Sequence, residues 1–294
     1  MLLRGPTLLL VTLALAGCAG SGPEKNVPVE DDLAARFAYP VGTAELEEGS
    51  GRERDGIGTY RVGIGLPDGA RIPGYVVRPL DLDEEGDPAG VVFVHGAGGG
   101  ADDFLREGHE LAQRGAVVLA TDSPYVRSTD EALRGGEAAL QDTYDAMAQW
   151  VREVRIALDL LVDRYGADPD RLAVVGYSMG AQPATIAAAL DPRVQALVVR
   201  AGQAYPAGLP DDLLARRLFT AIDTEGFVDN LAPTDVLFQG AEFDSVVPRH
   251  EMEVLYEHAS KPKQIRWYDA DHELGQVAAT ERVEWLAEEL QLEG

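Results

Sequence analysis

A strand–turn–helix pattern around Ser178 constrains the fold of this chain more than any other stretch. Three apolar β-forming residues, Ala173 to Val175, lead into Gly-Tyr-Ser-Met-Gly, and a helix of small residues follows. Such a turn is so tight that a Cβ at Gly176 or Gly180 would collide with neighbouring backbone. It lifts a serine hydroxyl off the end of a parallel sheet, beside a helix N-terminus whose N–H groups can stabilise an oxyanion. Because Gly and Ser are common in plain turns, the pentapeptide alone does not define a site.

Strands alternate with helices through most of the chain. The continuous apolar runs Gly90–Val94 and Ala116–Ala120 are typical of strands buried on both faces of a parallel sheet. Apolar residues spaced by three and four from Tyr144 to Tyr165 predict a long helix. The alternation predicts an α/β fold with a mostly parallel sheet and helices on both faces. Further strands are predicted at Val194–Val199, Asp235–Gln239 and Gln264–Tyr268, and further helices at about 103–114, 180–190, 249–259 and 277–290.

The segment before residue 90 has a different pattern. Tyr60–Leu66 alternates as a strand, a Pro-Asp-Gly turn follows, and Arg71–Arg78 forms a second arm, which predicts an antiparallel hairpin. Glu45–Asp55 is charged and contains glycine, so it is predicted to be a loop. Residues 203–233 are mixed, with a helix predicted at Asp211–Ile222, and this segment is too small for a large lid domain.

The N-terminus predicts export. One Arg precedes the apolar run Leu8–Ala16, which is typical of a signal peptide and short for a membrane span. The run ends Leu15-Ala16-Gly17-Cys18, which resembles the lipobox of bacterial lipoproteins, where the cysteine is lipidated and the chain is cut before it. We therefore expect a lipoprotein signal peptide over 1–17, a polar tether over 18–30, and a single large α/β domain over 31–294. An ordinary signal peptide with a chance cysteine is the alternative.

Charge and composition exclude several classes of protein. The chain has 50 acidic and 25 basic residues, a net charge of −25, so binding to nucleic-acid phosphates is not expected. Cys18 is the sole cysteine, so no intrachain disulfide forms, and no Cys/His pair has metal-ligand spacing. Gly96–Gly100 lacks the Gly-Lys-Ser/Thr of a nucleotide loop and the spacing of a dinucleotide fingerprint. No cofactor or metal is expected, and the sequence carries no signal of oligomeric state.

Two residues downstream of Ser178 complete a candidate catalytic set. A serine hydroxyl needs a base within hydrogen-bond reach, and the base needs an acid that orients it. Asp244 and His272 each follow a predicted strand, in the order Ser, Asp, His that this fold class uses. Glu242 and Asp271 are the alternative acids.

The remaining histidines have other predicted places. His109, His250 and His258 fall on predicted helices and are predicted to be solvated. His95 ends a strand before the Ser178 turn, and we assign it to shaping the glycine-rich loop that follows.

That glycine-rich loop, His95–Gly100, supplies the remaining part of the predicted site. An oxyanion hole needs backbone N–H groups aimed at the developing negative charge. One donor is predicted to be the N–H of Met179, directly after the serine. The second is predicted to be the N–H of Ala97, with Gly98 as the alternative. Tyr125, Tyr177, Gln203 and Tyr205 follow strand ends and are candidate substrate-binding residues, although structural roles fit them as well.

From about residue 57 to the C-terminus, these motifs together resemble the α/β-hydrolase superfamily, most closely its dienelactone-hydrolase-like and bacterial serine esterase branches. The resemblance rests on His95-Gly96-x-Gly98-Gly99, Gly176-x-Ser178-x-Gly180, Asp244-x-x-Val247-Pro248 and His272. It implies transfer of an acyl group to water through an acyl-enzyme. Dienelactone hydrolases use a Cys nucleophile, so dienelactone is not the expected substrate.

Three functions are compatible with this pattern. The first is a lipid-anchored hydrolase of carboxylic esters in the bacterial cell envelope, with a small-molecule substrate. The second is a peptidase resembling the catalytic domain of prolyl oligopeptidases, but this chain has no room for their gating domain, and Gly180 is followed by Ala181 where they carry another Gly. The third is a non-catalytic envelope binding protein on a hydrolase scaffold. The lack of room for a large lid favours short or soluble esters.

Overall fold

The computed structural model describes residues 35–66, 69–82, 87–123, 135–203, 218 and 220–293. The predicted signal peptide and tether, with Cys18, lie outside these residues, as does most of the helix predicted at Asp211–Ile222. Within the described residues, no helix has the length and apolar character needed to span a membrane.

A single twisted sheet organises the described part of the chain. Its nine strands lie in the order β1-β2-β3-β5-β4-β6-β7-β8-β9. The six strands from β5 to β9 in this order are parallel, and β1, β2 and β3 are antiparallel. The strands are β1 (Glu45–Arg54), β2 (Ile57–Gly65), β3 (Arg71–Pro79), β4 (Gly90–Val94), β5 (Val117–Thr121), β6 (Leu172–Tyr177), β7 (Val194–Arg200), β8 (Asp235–Ala241) and β9 (Lys263–Tyr268).

Helices cover both faces of the sheet, as predicted. They are α1 (Leu105–Ala112), α2 (Gly136–Tyr165), α3 (Ala181–Leu190), α4 (Glu225–Val228), α5 (Arg249–His258) and α6 (Gly275–Glu289). Side chains of α1 and α6 pack on one face, and those of α2, α3, α4 and α5 pack on the other. Because strand residues alternate between faces, Val92 and Val94 of β4 join one core, and Val91 and Phe93 join the other. This two-sided burial explains the continuous apolar runs of the parallel strands.

The sequence prediction was wrong for residues 45–55. Glu45–Arg54 is not a loop but strand β1, which pairs antiparallel with β2. Its side chains are almost all exposed, so backbone hydrogen bonds to β2 hold the strand. Because no face of β1 is buried, its sequence does not alternate between apolar and polar residues. Charged side chains on such an edge oppose pairing with another molecule. The predicted hairpin of β2 and β3 is confirmed as the inner part of this three-stranded unit.

The strand order reverses beside β4, and this reversal positions the site. From β4 the chain crosses to β5 on one side, then returns to β6 on the other side of β4. The helices that follow β4 and β6 therefore pack on opposite faces, which opens a crevice at the carboxyl ends of these two strands. Both the glycine-rich loop and the Ser178 turn lie at this crevice.

Gly180 allows the turn after β6 to approach the end of β4 closely. A Cβ at Gly180 would lie 2.2 Å from the carbonyl oxygen of His95 and 2.6 Å from that of Val94. We predict that Gly180→Ala lowers the free energy of unfolding by about 1–3 kcal/mol, because backbone atoms must shift to make room. Urea denaturation measures this change.

Gly226→Ala is the matched control. Gly226 lies in α4, where a Cβ would meet no atom within 4 Å. Since Ala is the better helix former, this variant is expected to be as stable as the wild type or slightly more stable. Equal stability of the two variants would contradict the close approach at Gly180.

Candidate active site

The turn between β6 and α3 holds Ser178 in a strained conformation. Ser178 has φ = 52°, a left-handed backbone that non-glycine residues rarely adopt. A Cβ at Gly176 would lie 2.6 Å from the Cα of Ala181, so both predicted glycines are sterically required. Strain of this kind persists where the surrounding packing enforces it, and it often marks a functional residue.

Asp244 lies in the loop after β8, and hydrogen bonds fix its carboxylate. Its Oδ1 accepts the N–H groups of Val246 and Val247, both at 2.8 Å. Its Oδ2 lies 2.8 Å from Nδ1 of His272. The side chain is almost fully buried, so one oxygen is tied to its own loop while the other faces the imidazole.

His272 lies between Asp244 and Ser178. Its Nε2 is 2.9 Å from the Ser178 hydroxyl oxygen. An ionised carboxylate accepts hydrogen bonds only, so the Asp244 contact assigns the imidazole proton to Nδ1. In the neutral ring, Nε2 is then the acceptor and can take the serine proton. The three residues form a continuous hydrogen-bonded chain that can activate the hydroxyl as a nucleophile.

Neither alternative acid forms a hydrogen bond with the His272 imidazole, whose nitrogens face Asp244 and Ser178. Glu242 pairs with Arg249, and Asp271 accepts the N–H of Glu273 at 3.2 Å. Both therefore have local structural partners.

His95 has the structural place that the sequence indicated. The ring is buried, and its Nε2 accepts the N–H of Ser123 at 3.0 Å. That contact leaves the proton on Nδ1, which lies 2.7 Å from the carbonyl of Gly96. The ring thus links the glycine-rich loop after β4 to the end of β5.

The glycine-rich loop turns back directly over the Ser178 turn. The N–H of Gly99 donates to the carbonyl of Gly96 at 3.2 Å, and Gly98 has φ = 74°, which glycine adopts without cost. Among the described residues, the N–H groups of Ala97 and Gly98 have no hydrogen-bond acceptor. Ala97 and Gly98 line the same cavity as Ser178, so both N–H groups stay candidates for binding an oxyanion.

The cavity above Ser178 has a volume of about 700 Å³, which suits a small molecule. Its apolar wall includes Val246 and Ala279, and its polar wall includes His272, Arg200 and Gln276. The strongly acidic chain therefore presents a mixed polar and apolar surface next to the Ser–His–Asp contacts.

A buried ion pair forms part of the cavity wall. Arg282, 1% exposed, donates from Nε and Nη2 to the two carboxylate oxygens of Glu107, at 2.8 and 2.7 Å. Its Nη1 donates to the side-chain oxygen of Gln239. The amide of Gln239 in turn donates to the Tyr268 hydroxyl at 2.8 Å. The network ties α1, β8, β9 and α6 together, and it neutralises both buried charges.

Tyr177, a predicted substrate-binding residue, lines the cavity beside His272. Its hydroxyl donates to Oε1 of Glu273 at 2.9 Å, and its ring centroid lies 5.3 Å from that of His272. Burial, and then the hydrogen bond to Glu273, raises the pKa of the Tyr177 hydroxyl, so it stays a donor at neutral pH. The guanidinium carbon of Arg200 lies 4.0 Å from the centroid of the same ring.

Of the other predicted substrate-binding residues, the structure describes Gln203 alone, and it does not bring Gln203 to this cavity. Gln203 is exposed, does not line it, and its backbone carbonyl accepts the Thr224 hydroxyl at 3.0 Å. Tyr125 and Tyr205 lie outside the described residues. Their role in binding stays a prediction.

Sequence reasoning missed Arg200 and Glu273. Arg200 is the last residue of β7, and in the strand register it pairs with Tyr177, directly before the serine. A charged side chain at the carboxyl end of a buried parallel strand was the signal that could have identified it. Glu273 directly follows His272 in sequence, which was a weaker signal of the same kind.

In the ranges that the structure describes, no group of three His, Cys, Asp or Glu side chains could hold a metal ion.

Comparison with known proteins gives the family. Residues 90–241 match the α/β-hydrolase fold family, and the chain belongs to it. The structure is similar to acetyl xylan esterase from Paenibacillus sp. R4, with a TM-score of 0.66 and 21% identity over 87% of this chain and 90% of that one. It is similar to an S-formylglutathione hydrolase from Agrobacterium tumefaciens, with a TM-score of 0.64 and 18% identity over 83% and 99% of the two chains.

A third similar structure is a protein described as a dienelactone hydrolase from Klebsiella pneumoniae subsp. pneumoniae. Its TM-score is 0.57, with 17% identity over 85% of this chain and 99% of that one. No curated protein matches the sequence. At these identities the similar structures establish the fold, which agrees with the sheet and helices described above.

The tautomer of His272 depends on Asp244, and this dependence can be measured. In Asp244→Asn the amide can turn its NH₂ group towards Nδ1, so we expect the proton to move from Nδ1 to Nε2. ¹⁵N NMR of the labelled imidazole distinguishes the two tautomers. The same tautomer in wild type and Asp244→Asn would contradict the assignment, and Glu242→Gln, altered outside the His272 contact, should leave the spectrum unchanged.

Proposed function

We propose that this protein is a serine hydrolase that cleaves carboxylic esters through an acyl-enzyme. Ser178 is the nucleophile, His272 the general base and then the general acid, and Asp244 the residue that orients the imidazole. The N–H groups of Met179 and Ala97 bind the oxyanion, with Gly98 as the alternative to Ala97. The family membership supports hydrolase chemistry, and the similarity to the structure of acetyl xylan esterase favours an ester as substrate.

One observation carries the proposal. His272 lies within hydrogen-bond distance of both Ser178 and Asp244, at 2.9 and 2.8 Å, on loops after two different strands. A packing histidine would not need a buried carboxylate on one nitrogen and a strained, cavity-facing serine on the other. The same contacts disfavour a non-catalytic binding protein, which gains nothing from an activated hydroxyl.

Acylation uses these groups in sequence. The Ser178 oxygen attacks the ester carbonyl carbon, while Nε2 of His272 takes the hydroxyl proton. The carbonyl oxygen becomes an oxyanion, which the N–H groups of Met179 and Ala97 stabilise. As the tetrahedral intermediate collapses, the ester C–O bond breaks and the imidazolium gives its proton to the leaving alcohol. The acyl group remains on Ser178.

Deacylation repeats these steps with water. His272 takes a proton from the water as its oxygen attacks the acyl carbon. Collapse of the second tetrahedral intermediate releases the carboxylic acid and returns the proton to the Ser178 oxygen. Asp244 keeps its negative charge and stabilises the imidazolium in both halves of the reaction.

We predict that Ser178→Ala lowers kcat/KM for short-chain esters by about 10³–10⁶-fold, because the acyl group then has no acceptor. His272→Ala should lower it to a similar extent, since residues that act as one unit are not additive. Ester turnover measured on the purified protein tests both.

His250→Ala is the matched control for the histidine variant. His250 lies exposed on α5 and contacts Glu251, so its removal should leave turnover unchanged. Wild-type turnover that survived in Ser178→Ala would overturn the proposed mechanism.

The proposal includes the location of the enzyme. The lipobox-like Leu15-Ala16-Gly17-Cys18 and the polar residues after it support a lipid anchor on Cys18. The domain would then act outside the cytoplasm, in the bacterial cell envelope, on the membrane surface.

For this location, we predict that Cys18→Ser abolishes incorporation of an alkyne-labelled fatty acid and moves the protein from the detergent phase to the aqueous phase. A single acyl chain binds membranes only marginally, so the complete lipid modification is needed for stable partitioning. The measurement is phase separation of cell extracts followed by immunoblotting. Equal partitioning of the wild type and Cys18→Ser would refute the lipid anchor and favour the alternative, an ordinary signal peptide with a chance cysteine.

A further inference from the structure

Arg200 carries a buried positive charge next to the Ser178 turn. It ends β7, in register with Tyr177 of the neighbouring strand, and it lines the cavity that contains Ser178 and His272. Its side chain is 13% exposed. Burial, and then the nearby charge of Arg282, lowers the pKa of the Arg200 guanidinium. Since an arginine normally titrates far above neutrality, the group stays charged.

Among the described residues, carboxylates contact Arg200 less closely than Glu107 contacts Arg282. Its Nη2 donates to the backbone carbonyl of Glu273. The nearest carboxylate oxygen, Oε2 of Glu273, lies 3.8 Å from Nη2, beyond hydrogen-bond distance. Its Nε is buried, and no described residue accepts from it. The Glu273 carboxylate and the Tyr177 ring therefore offset the Arg200 charge only through a long contact and a cation–π contact. No N–H group of this guanidinium donates to a carboxylate of the described residues, so the group can still bind an anionic ligand in the cavity.

The other two arginines that line the cavity have different surroundings. Arg282 has both carboxylate oxygens of Glu107. Arg106 donates to Gln276 and lies 3.8 Å from Glu110, on a half-exposed part of the rim. Arg200 differs from both because it combines burial, an unpartnered Nε and a position directly beside the nucleophile strand.

Because the chain is strongly acidic, a positive charge inside the cavity determines whether an anionic ligand can bind there. A net charge of −25 repels anionic ligands at long range. An anionic substrate therefore needs a local cation to be bound, and a planar guanidinium matches the geometry of a carboxylate better than an ammonium does.

We propose that Arg200 binds a carboxylate of the substrate, so that the preferred esters are those of dicarboxylic acids or of hydroxy acids with a free carboxylate. The inference rests on the proposed ester hydrolysis and specifies its substrate class. Arg200 is a specificity residue: it holds the charged end of the substrate while the ester carbonyl lies at Ser178. Glu273, with 74% of its side chain exposed, yields its place near Nη2 to the substrate carboxylate.

The test compares esters that differ in one terminal carboxylate. For a carboxylate on the acyl side, the esters are monoethyl succinate, glutarate and adipate, each compared with the ethyl ester of the neutral acid of the same chain length. For a carboxylate on the alcohol side, butyrylglycolate is compared with ethyl butyrate. Ethanol or acid release gives kcat/KM for the full-length protein in detergent. We expect the wild type to prefer at least one charged ester, and Arg200→Gln to lower that preference by about 10–100-fold, as for a lost charged hydrogen bond.

Two further variants separate charge from structure. Arg200→Lys keeps the charge without the planar fork and should retain part of the preference. Arg106→Gln removes a half-exposed cation from the rim of the same cavity and should change the preference less than about threefold. The role of Arg200 is refuted if Arg200→Gln lowers kcat/KM for charged and neutral esters equally. It is refuted as well if a wild type that hydrolyses the neutral esters prefers no charged ester.

A binding measurement distinguishes this failure from failure of the proposed function. In isothermal titration calorimetry, the three monoethyl esters are titrated into Ser178→Ala and into the double variant Ser178→Ala/Arg200→Gln. Binding to the first and not to the second supports the carboxylate site even if the wild type turned over no ester. Equal binding, or no binding of the charged esters to either protein, refutes it.

Discussion

The close approach of the Ser178 turn to the end of β4 is the constraint on which the site depends. The backbone at Gly180 lies so close to the carbonyl groups of Val94 and His95 that a Cβ at this position would collide with them. Through this contact the serine and the glycine-rich loop face the same crevice, where the strand order reverses. The strained backbone of Ser178 is held there by packing on both sides. The positions of Asp244 and His272 then follow from β8 and β9, whose loops end at the same edge of the sheet.

Electrostatics differ between the surface and the cavity. The chain carries a large excess of carboxylates, while guanidinium groups line the cavity close to Ser178. Arg282 is neutralised by Glu107 and links the helices and strands that carry the site. Arg200 has no carboxylate within hydrogen-bond distance among the described residues. The two arginines on one wall therefore differ: the N–H groups of Arg282 are used within the protein, whereas Arg200 donates to no carboxylate of the described residues.

Much of the fold was predictable because its signals are local or periodic. The apolar runs of β4 and β5, the helical spacing of α2 and the glycines around Ser178 each reflect one dominant physical requirement. The sequence did not predict strand β1, because its side chains are exposed to solvent and its residues therefore show no apolar alternation. Asp244 and His272 were identified from order and strand ends, and the structure brings both to Ser178. Arg200 was missed because its lack of a partner depends on neighbours distant in sequence, which no local pattern encodes.

The central claim is that Ser178 is a nucleophile activated by His272. Treating the full-length protein with a fluorophosphonate and mapping the adduct by mass spectrometry tests it directly, without knowledge of the substrate. We expect one adduct, on Ser178, in the wild type and a much slower reaction in a folded His272→Ala variant. A folded wild type that stays unlabelled, or labelling of Ser178 at the same rate without His272, would contradict it.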